Sequence, residues 1–448
     1  MDISDLQELG KAIRDIEGIL GITIDPHLEQ QYLAGNAWGL PAYEKIHTPA
    51  PAVKAIQKYL ICAKSHLSYQ ESVPKGDLSN FYDIQRAARI VPLVRVLANS
   101  LRTVTRKTQN YEARLGRLRE EFEIDPFEAI LYELAVAAKY AEHPDAESVK
   151  FIDEAKGKGQ SPDLSAKINR REWTIECKKF DRTSDYSAKL RDQMRDLSQP
   201  VLAAIRAEQR SAVVELTLRA SPDLVSSSEI ASAAVDSLRS GGAILSDKYT
   251  VVSRPTPPID SSNYTLYPSP AYFWQRFQHL DGVEFQGIVC ALIAKFAGPS
   301  WLDEIGWDAA VKWKVLDSQS NWKRQKLGYA RIYKGLDQLH NASHPILHVC
   351  YERDLALGPR RDDLLRFLEE LATKQKNIEW LIFNELAPTV SIGGRFDFTE
   401  HSHFHFASST KKADSPPPVL NVFSDDEDLK SADGEFGVGA HLPSIDEE

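Results

Sequence analysis

The chain has 448 residues, 42% of them hydrophobic and 26% charged, which is enough to bury at least one large core. No stretch reaches the roughly 18 uninterrupted apolar residues that would span a bilayer, and the first residues are acidic and amphipathic rather than a signal peptide, so a soluble, cytoplasmic protein without a membrane partner is expected. The formal charge of −10 argues against a nucleic-acid partner only until it is divided along the chain: in residues 414–448 ten acids against Lys430 carry −9 of it. The body is nearly neutral. Its basic residues cluster, with Arg95, Arg102, Arg106, Lys107, Arg114, Arg117 and Arg119 against the single acid Glu112 over 95–119. Cys62, Cys177, Cys290 and Cys350 are widely spaced and read as structural free thiols.

Residues 1–120 carry helix-period apolar spacing (Leu6, Leu9, Ile13, Ile16, Leu20) and predict a helical N-terminal region. From 121 the texture changes. A helix over DPFEAILYELAVAAKYAEH precedes the β-like runs SVKFIDEA, PDLSAKI and WTIECKKF. A helix bent at Pro200 and the strand AVVELTL follow. This order predicts a mixed α/β sheet flanked by helices over 121–283. Residues 284–407 repeat the texture, with helices at 321–341 and 361–376, and read as an extension of that sheet or a second α/β lobe. Beyond 408 the Ser, Pro, Asp and Glu content predicts a disordered acidic tail.

The chemistry concentrates in SPDLSAKINRREWTIECKKF, residues 161–180. Asp163 lies beside one β-like run and Glu176 within the next, with Asn169–Glu172 available for a hairpin turn, so adjacent antiparallel strands would bring the two carboxylates side by side. Glu176 and Lys178 share one strand face, while Ile175 and Cys177 take the other. Two carboxylates and a backbone carbonyl, here that of Cys177, suit a hard Mg²⁺ ion, with Mn²⁺ as its substitute. Lys178 would then orient or deprotonate the attacking water, or neutralise charge developing on a phosphate.

With Pro162-Asp163 as the "PD" and Glu176-Cys177-Lys178 as the "ExK" thirteen residues later, the segment resembles the PD-(D/E)XK, or restriction endonuclease-like, nuclease superfamily. The resemblance covers roughly 121–220. It implies a restriction endonuclease-like core and a catalytic set of Asp163, Glu176 and Lys178, with a further glutamate from the preceding helix as metal ligand. Glu133, flanked by Leu131, Leu134 and Ala138, is the choice for that place. Glu128, nearer the helix start, reads as a charge favoured by the helix dipole.

Three other features are weighed. WKRQKLGYARIYK at 322–334 interleaves basic residues with Trp322, Tyr329 and Tyr333, and reads equally as a nucleic-acid grip or an amphipathic helix burying its aromatics. His401, His403 and His405 share a strand face that can bind zinc, although an edge strand burying Phe404 and Phe406 accounts for them better. Lys312-Trp313-Lys314 after Asp308 imitates the nuclease strand without its acid. The expectation is a Mg²⁺-dependent nuclease acting on nucleic acid, DNA ahead of RNA, in defence or repair; the alternative is a non-catalytic nucleic-acid-binding or scaffold protein on the same fold. A double-strand cut needs two active sites, which makes a homodimer attractive.

Overall fold

The computed structural model of the chain describes residues 3–29, 53–72, 84–152, 161–180, 185–256, 287–296, 302–317, 329–352, 361–374, 378–390, 396–406 and 417–423. Helices α1 (Ile3–Leu20), α2 (Ala55–Ser72), α3 (Ile84–Lys107) and α4 (Glu112–Glu120) make the N-terminal region helical, with only the two-residue strand β1 (Thr108–Gln109) between the last two. Helix α5 (Ile124–Glu142) leads into β2 (Ala146–Phe151), β3 (Leu164–Ile168) and β4 (Arg171–Lys179).

The β3–β4 hairpin closes on Ile168 opposite Arg171, leaving a two-residue turn, Asn169-Arg170. Both have positive φ, 51° and 64°, the backbone pattern whose twist matches that of the flanking strands. Asn adopts it readily. Arg170 is held there by its N–H, which donates to the Glu147 carboxylate at 2.8 Å.

After β4 come α6 (Asp185–Ala207), which continues through Pro200, then β5 (Ala212–Leu218), α7 (Ser227–Ser240), β6 (Ile244–Leu245), β7 (Tyr249–Pro255), β8 (Gly287–Phe296) and β9 (Leu302–Val315). These five strands form their own sheet, ordered β6-β7-β5-β9-β8. The chain then returns. Residues 329–338 form helix α8, followed by β10 (Pro345–Glu352), α9 (Arg361–Lys374), β11 (Trp380–Val390) and β12 (Phe396–Phe406). The first sheet is completed by these last strands in the order β1-β2-β3-β4-β10-β11-β12. The mixed α/β class is therefore as expected, but β5 does not continue the sheet of β4. Residues 284–407 are likewise divided: β8 and β9 join the second sheet, β10 to β12 the first. The reason is that β10 pairs in parallel with β4 over Thr174–Lys179, a contact across more than 160 residues that local patterning does not encode.

Alternation along β4 and β10 builds a core on each face of the seven-stranded sheet. Ile175, Cys177, Ile346 and Cys350 pack against α1, α2, α3 and α5. Leu347, Val349, Leu381 and Phe383 pack against Ile332 of α8 and Leu364 and Leu368 of α9. The N-terminal helices are one cover of this sheet rather than a separate body. A third cluster, around Leu216, Val311 and Trp313, belongs to the second sheet.

The expectation of a tail without packing from 408 is corrected at 417–423. Val419 and Val422 are buried in the core that includes α5, Leu420 is buried as well, and Phe423 stacks on Tyr132 at 6.0 Å between ring centroids. The Glu400 carboxylate accepts the N–H groups of Val422 and Phe423 at 2.8 and 2.7 Å. The local sequence Val-Leu-Asn-Val-Phe supplies the apolar surface that the average composition of the tail conceals.

Candidate active site

Asp163 immediately precedes β3, and its backbone is fixed on both sides: its N–H donates to the Ile175 carbonyl at 3.2 Å, and its carbonyl accepts from Ile152 at 2.9 Å. Since Leu164 faces Ile175, Asp163 stands at the rung of Glu176. Its side chain turns along the partner strand and accepts the Cys177 N–H at 2.9 Å. On β4, Glu176 and Lys178 face α8 and α9, opposite Leu347 and Val349 of β10. Glu176 is fully buried. Lys178 donates to its Oε1, while Oε2 has no hydrogen-bond partner among the described residues.

Behind Asp163 lies a cation that sequence reasoning placed only in a surface patch. Arg114 of α4 is buried; its Nε donates to Glu133 at 2.8 Å and its Nη2 is 3.8 Å from Asp163. Glu133 is thus bound to Arg114, and through it to Asp163. Burial, followed by the Asp163 charge, pushes the Glu133 carboxyl up to about 7 against the pull of Arg114 and Arg117. Burial also raises Asp163 despite the Lys178 charge, and lowers Lys178 despite Asp163 and Glu133. Displaced acids and a displaced base in one place are a recurrent feature of functional sites, though structural ion pairs produce them too.

The structure thus joins Glu176 directly to Lys178, sets Asp163 one strand away under the Lys178 charge, and holds Glu133 on the Arg114 side. Among the described residues no group of three or more His, Cys, Asp or Glu is arranged to hold a metal ion. What the residues offer is two carboxylates on neighbouring strands, one with a buried oxygen that no described residue satisfies. An uncompensated buried carboxylate oxygen is costly. That donor set fits a hard cation that keeps most of its waters.

Glu128 has surroundings quite different from a helix-dipole charge. It is buried and accepts from Tyr59, from Lys179 at 2.7 Å and from Arg89 through both oxygens at 2.7 Å. Arg89 also binds Glu352. No pattern near residue 128 reveals these partners, because they come from α2, α3, β4 and β10.

Of the 322–334 segment, the part beginning at 329 is described, and there Tyr329 and Tyr333 pack on Phe367 of α9. His401, His403 and His405 lie on β12, the edge strand; their side chains are outside the described residues. Lys312 and Trp313 are interior residues of the second sheet. Four other cations of the 95–119 cluster, Arg95, Arg102, Arg106 and Lys107, line a cleft of about 630 Å³ between α3 and α5. No helix among the described residues is long and apolar enough to cross a membrane.

No protein-family model matches this chain, and no curated protein matches it.

Proposed function

We propose that the chain is a metal-dependent phosphodiesterase of the PD-(D/E)XK type that cleaves nucleic acid, DNA ahead of RNA. The observation that carries this reading is the pairing of Asp163 and Glu176 on the two strands of one hairpin, with a buried unsatisfied Glu176 oxygen and Lys178 on the same strand. Asp163 and Glu176 would hold Mg²⁺ or Mn²⁺, with the Cys177 carbonyl as a further donor. The bound ion would polarise a phosphoryl oxygen and acidify water. Lys178, whose charge is weakened by burial, is suited to positioning that water or meeting the charge that appears on the phosphate in the transition state. Glu133 holds Arg114 in place behind Asp163, and serves as an outer acid rather than a direct ligand while that bond lasts.

One observation favours the alternative of a non-catalytic nucleic-acid-binding protein: Lys178 and Arg114 already neutralise the carboxylates that a metal would use. A single set of incubations separates the two. Circular DNA, linear DNA and RNA are exposed to the purified protein with Mg²⁺ and with EDTA, and the wild type is compared with Lys178→Ala and Asp163→Ala. Cleavage dependent on Mg²⁺, lost in Lys178→Ala with binding retained, is expected, because one lysine adds little to backbone affinity. Asp163→Ala should lose activity together with metal affinity. Undiminished cleavage by Lys178→Ala removes this site from consideration, and binding without cleavage under every metal supports the alternative.

A further inference from the structure

Helix α8 meets the candidate site along one strip of its surface. Arg331 donates to the carbonyl of Lys179 at 2.7 Å. One turn on, Gly335 lies so close to the sheet that a Cβ there would stand 2.8 Å from Leu347 Cδ1 and 3.3 Å from Lys178 Cγ. A side chain there would have to displace the Leu347 methyl and press on Lys178, which a glycine avoids. A further turn on, Gln338 donates to the carbonyl of Ser161, two residues before Asp163, at 2.9 Å. The helix is therefore pinned to the main chain on both sides of the Asp163–Lys178 pair.

Lys334 is three residues after Arg331 and four before Gln338, so it belongs to the same strip. It is exposed, and its charge bears on Lys178. Buried around the same contacts are three polar atoms without a hydrogen-bond partner among the described residues: Glu176 Oε2, Gln338 Oε1 and Ser161 Oγ. Glu176 Oε2 and Gln338 Oε1 are acceptors that call for water or a hydrated cation, while Ser161 Oγ can also donate. This strip therefore offers a hydrated floor beneath an exposed cation, Lys334, that can itself meet a phosphate.

We infer that α8 is the phosphate-holding wall of the site, with Lys334 contacting the phosphodiester that lies over Lys178, and with Gly335 and Gln338 setting the position of the helix. This deepens the nuclease reading and rests on it for the identity of the ligand. It assigns to the basic half of the 322–334 segment a contact at the site itself, while Tyr329 and Tyr333 are engaged with α9.

The test is equilibrium binding of a fluorescent DNA oligonucleotide to the full chain in Ca²⁺ over a series of salt concentrations, followed by cleavage in Mg²⁺. Lys334→Ala should weaken binding about five- to tenfold at low salt and reduce the salt slope by about one unit, as loss of one phosphate contact does. Lys334→Arg should restore most of both. Lys248→Ala, an exposed lysine of the second sheet, should change neither. Unaltered affinity and slope in Lys334→Ala overturn the inference, as does failure of the wild type to bind the oligonucleotide. A wild type that binds through Lys334 but cleaves under no metal leaves the phosphate contact standing and removes the nuclease reading.

Discussion

Glu128 and Glu133 stand five residues apart on α5, and their neighbours set them to different tasks. Glu128 is matched by two cations and a phenol, which makes it a structural node joining α2, α3, β4 and β10. Removing one partner of such a buried cluster leaves the others uncompensated, so Arg89→Ala should lower stability by about 3–5 kcal/mol, read from chemical denaturation. A change under 1 kcal/mol would mean the cluster is hydrated. Elsewhere in the same core, His348 is buried between Tyr140, at 3.0 Å from Nε2, and Asn384. Burial lowers its pKa from 6.5 to about 4. The unfolded chain takes up that proton near pH 6.5 and the folded chain resists it, so this contribution is present above 6.5 and is lost as the pH falls toward 4. It amounts to at most about 3 kcal/mol. Glu133 works in the opposite sense, since its raised pKa gives stability that disappears as the pH rises through about 7. The difference between wild type and His348→Gln isolates the histidine, and that difference should shrink between pH 7 and 5. A difference independent of pH would show that His348 is not held neutral.

Among the elements, the β3–β4 hairpin was legible because everything it needs is local: the alternation from Trp173 to Lys178, the Asn169 turn and the thirteen-residue spacing all lie within twenty residues. The helical character of residues 1–120 and the helix α5 were legible from apolar spacing for the same reason, though not where one N-terminal helix ends and the next begins. The partner of β4 was not, because a whole sheet separates it from β10 in sequence. Arg114 was visible only as one of seven cations, since its burial depends on the packing of α4 against α5. The packed segment at 417–423 was lost in the average composition around it. Its role can be tested by dividing the tail. Removal of 424–448 should leave the denaturation midpoint unchanged, whereas Leu420→Ala, at a position 6% exposed, should cost about 2 kcal/mol or more. The segment also supplies the Leu420 carbonyl that accepts from the buried Asn384 amide at 2.7 Å, beside its bonds to Glu400 and Ser402. A midpoint unmoved by Leu420→Ala would return the whole tail to the unpacked class.

At the scale of the molecule, the candidate site belongs entirely to the seven-stranded sheet and its covering helices, while residues 185–315 build a second sheet inserted between the neighbouring strands β4 and β10. The insertion has its own hydrophobic cluster, with α6 and α7 packed on β5 and β9. Two cores without a shared apolar cluster have reason to melt separately, and a single two-state transition is then not expected. Calorimetry of the full chain should give two transitions. Leu216→Ala, in the centre of the second cluster and fully buried, should weaken its own sheet by about 2–5 kcal/mol. It should lower one transition, leave the other in place and, below the lower one, leave metal-dependent cleavage intact, since nothing in the Asp163–Glu176–Lys178 group touches it. Arg89→Ala should do the reverse and move the transition that Leu216→Ala spares. If both substitutions shift one common transition, with calorimetric and van't Hoff enthalpies equal, the two sheets fold as one unit, and the second sheet must then bear on the geometry of the site through the chain segments that enter and leave it.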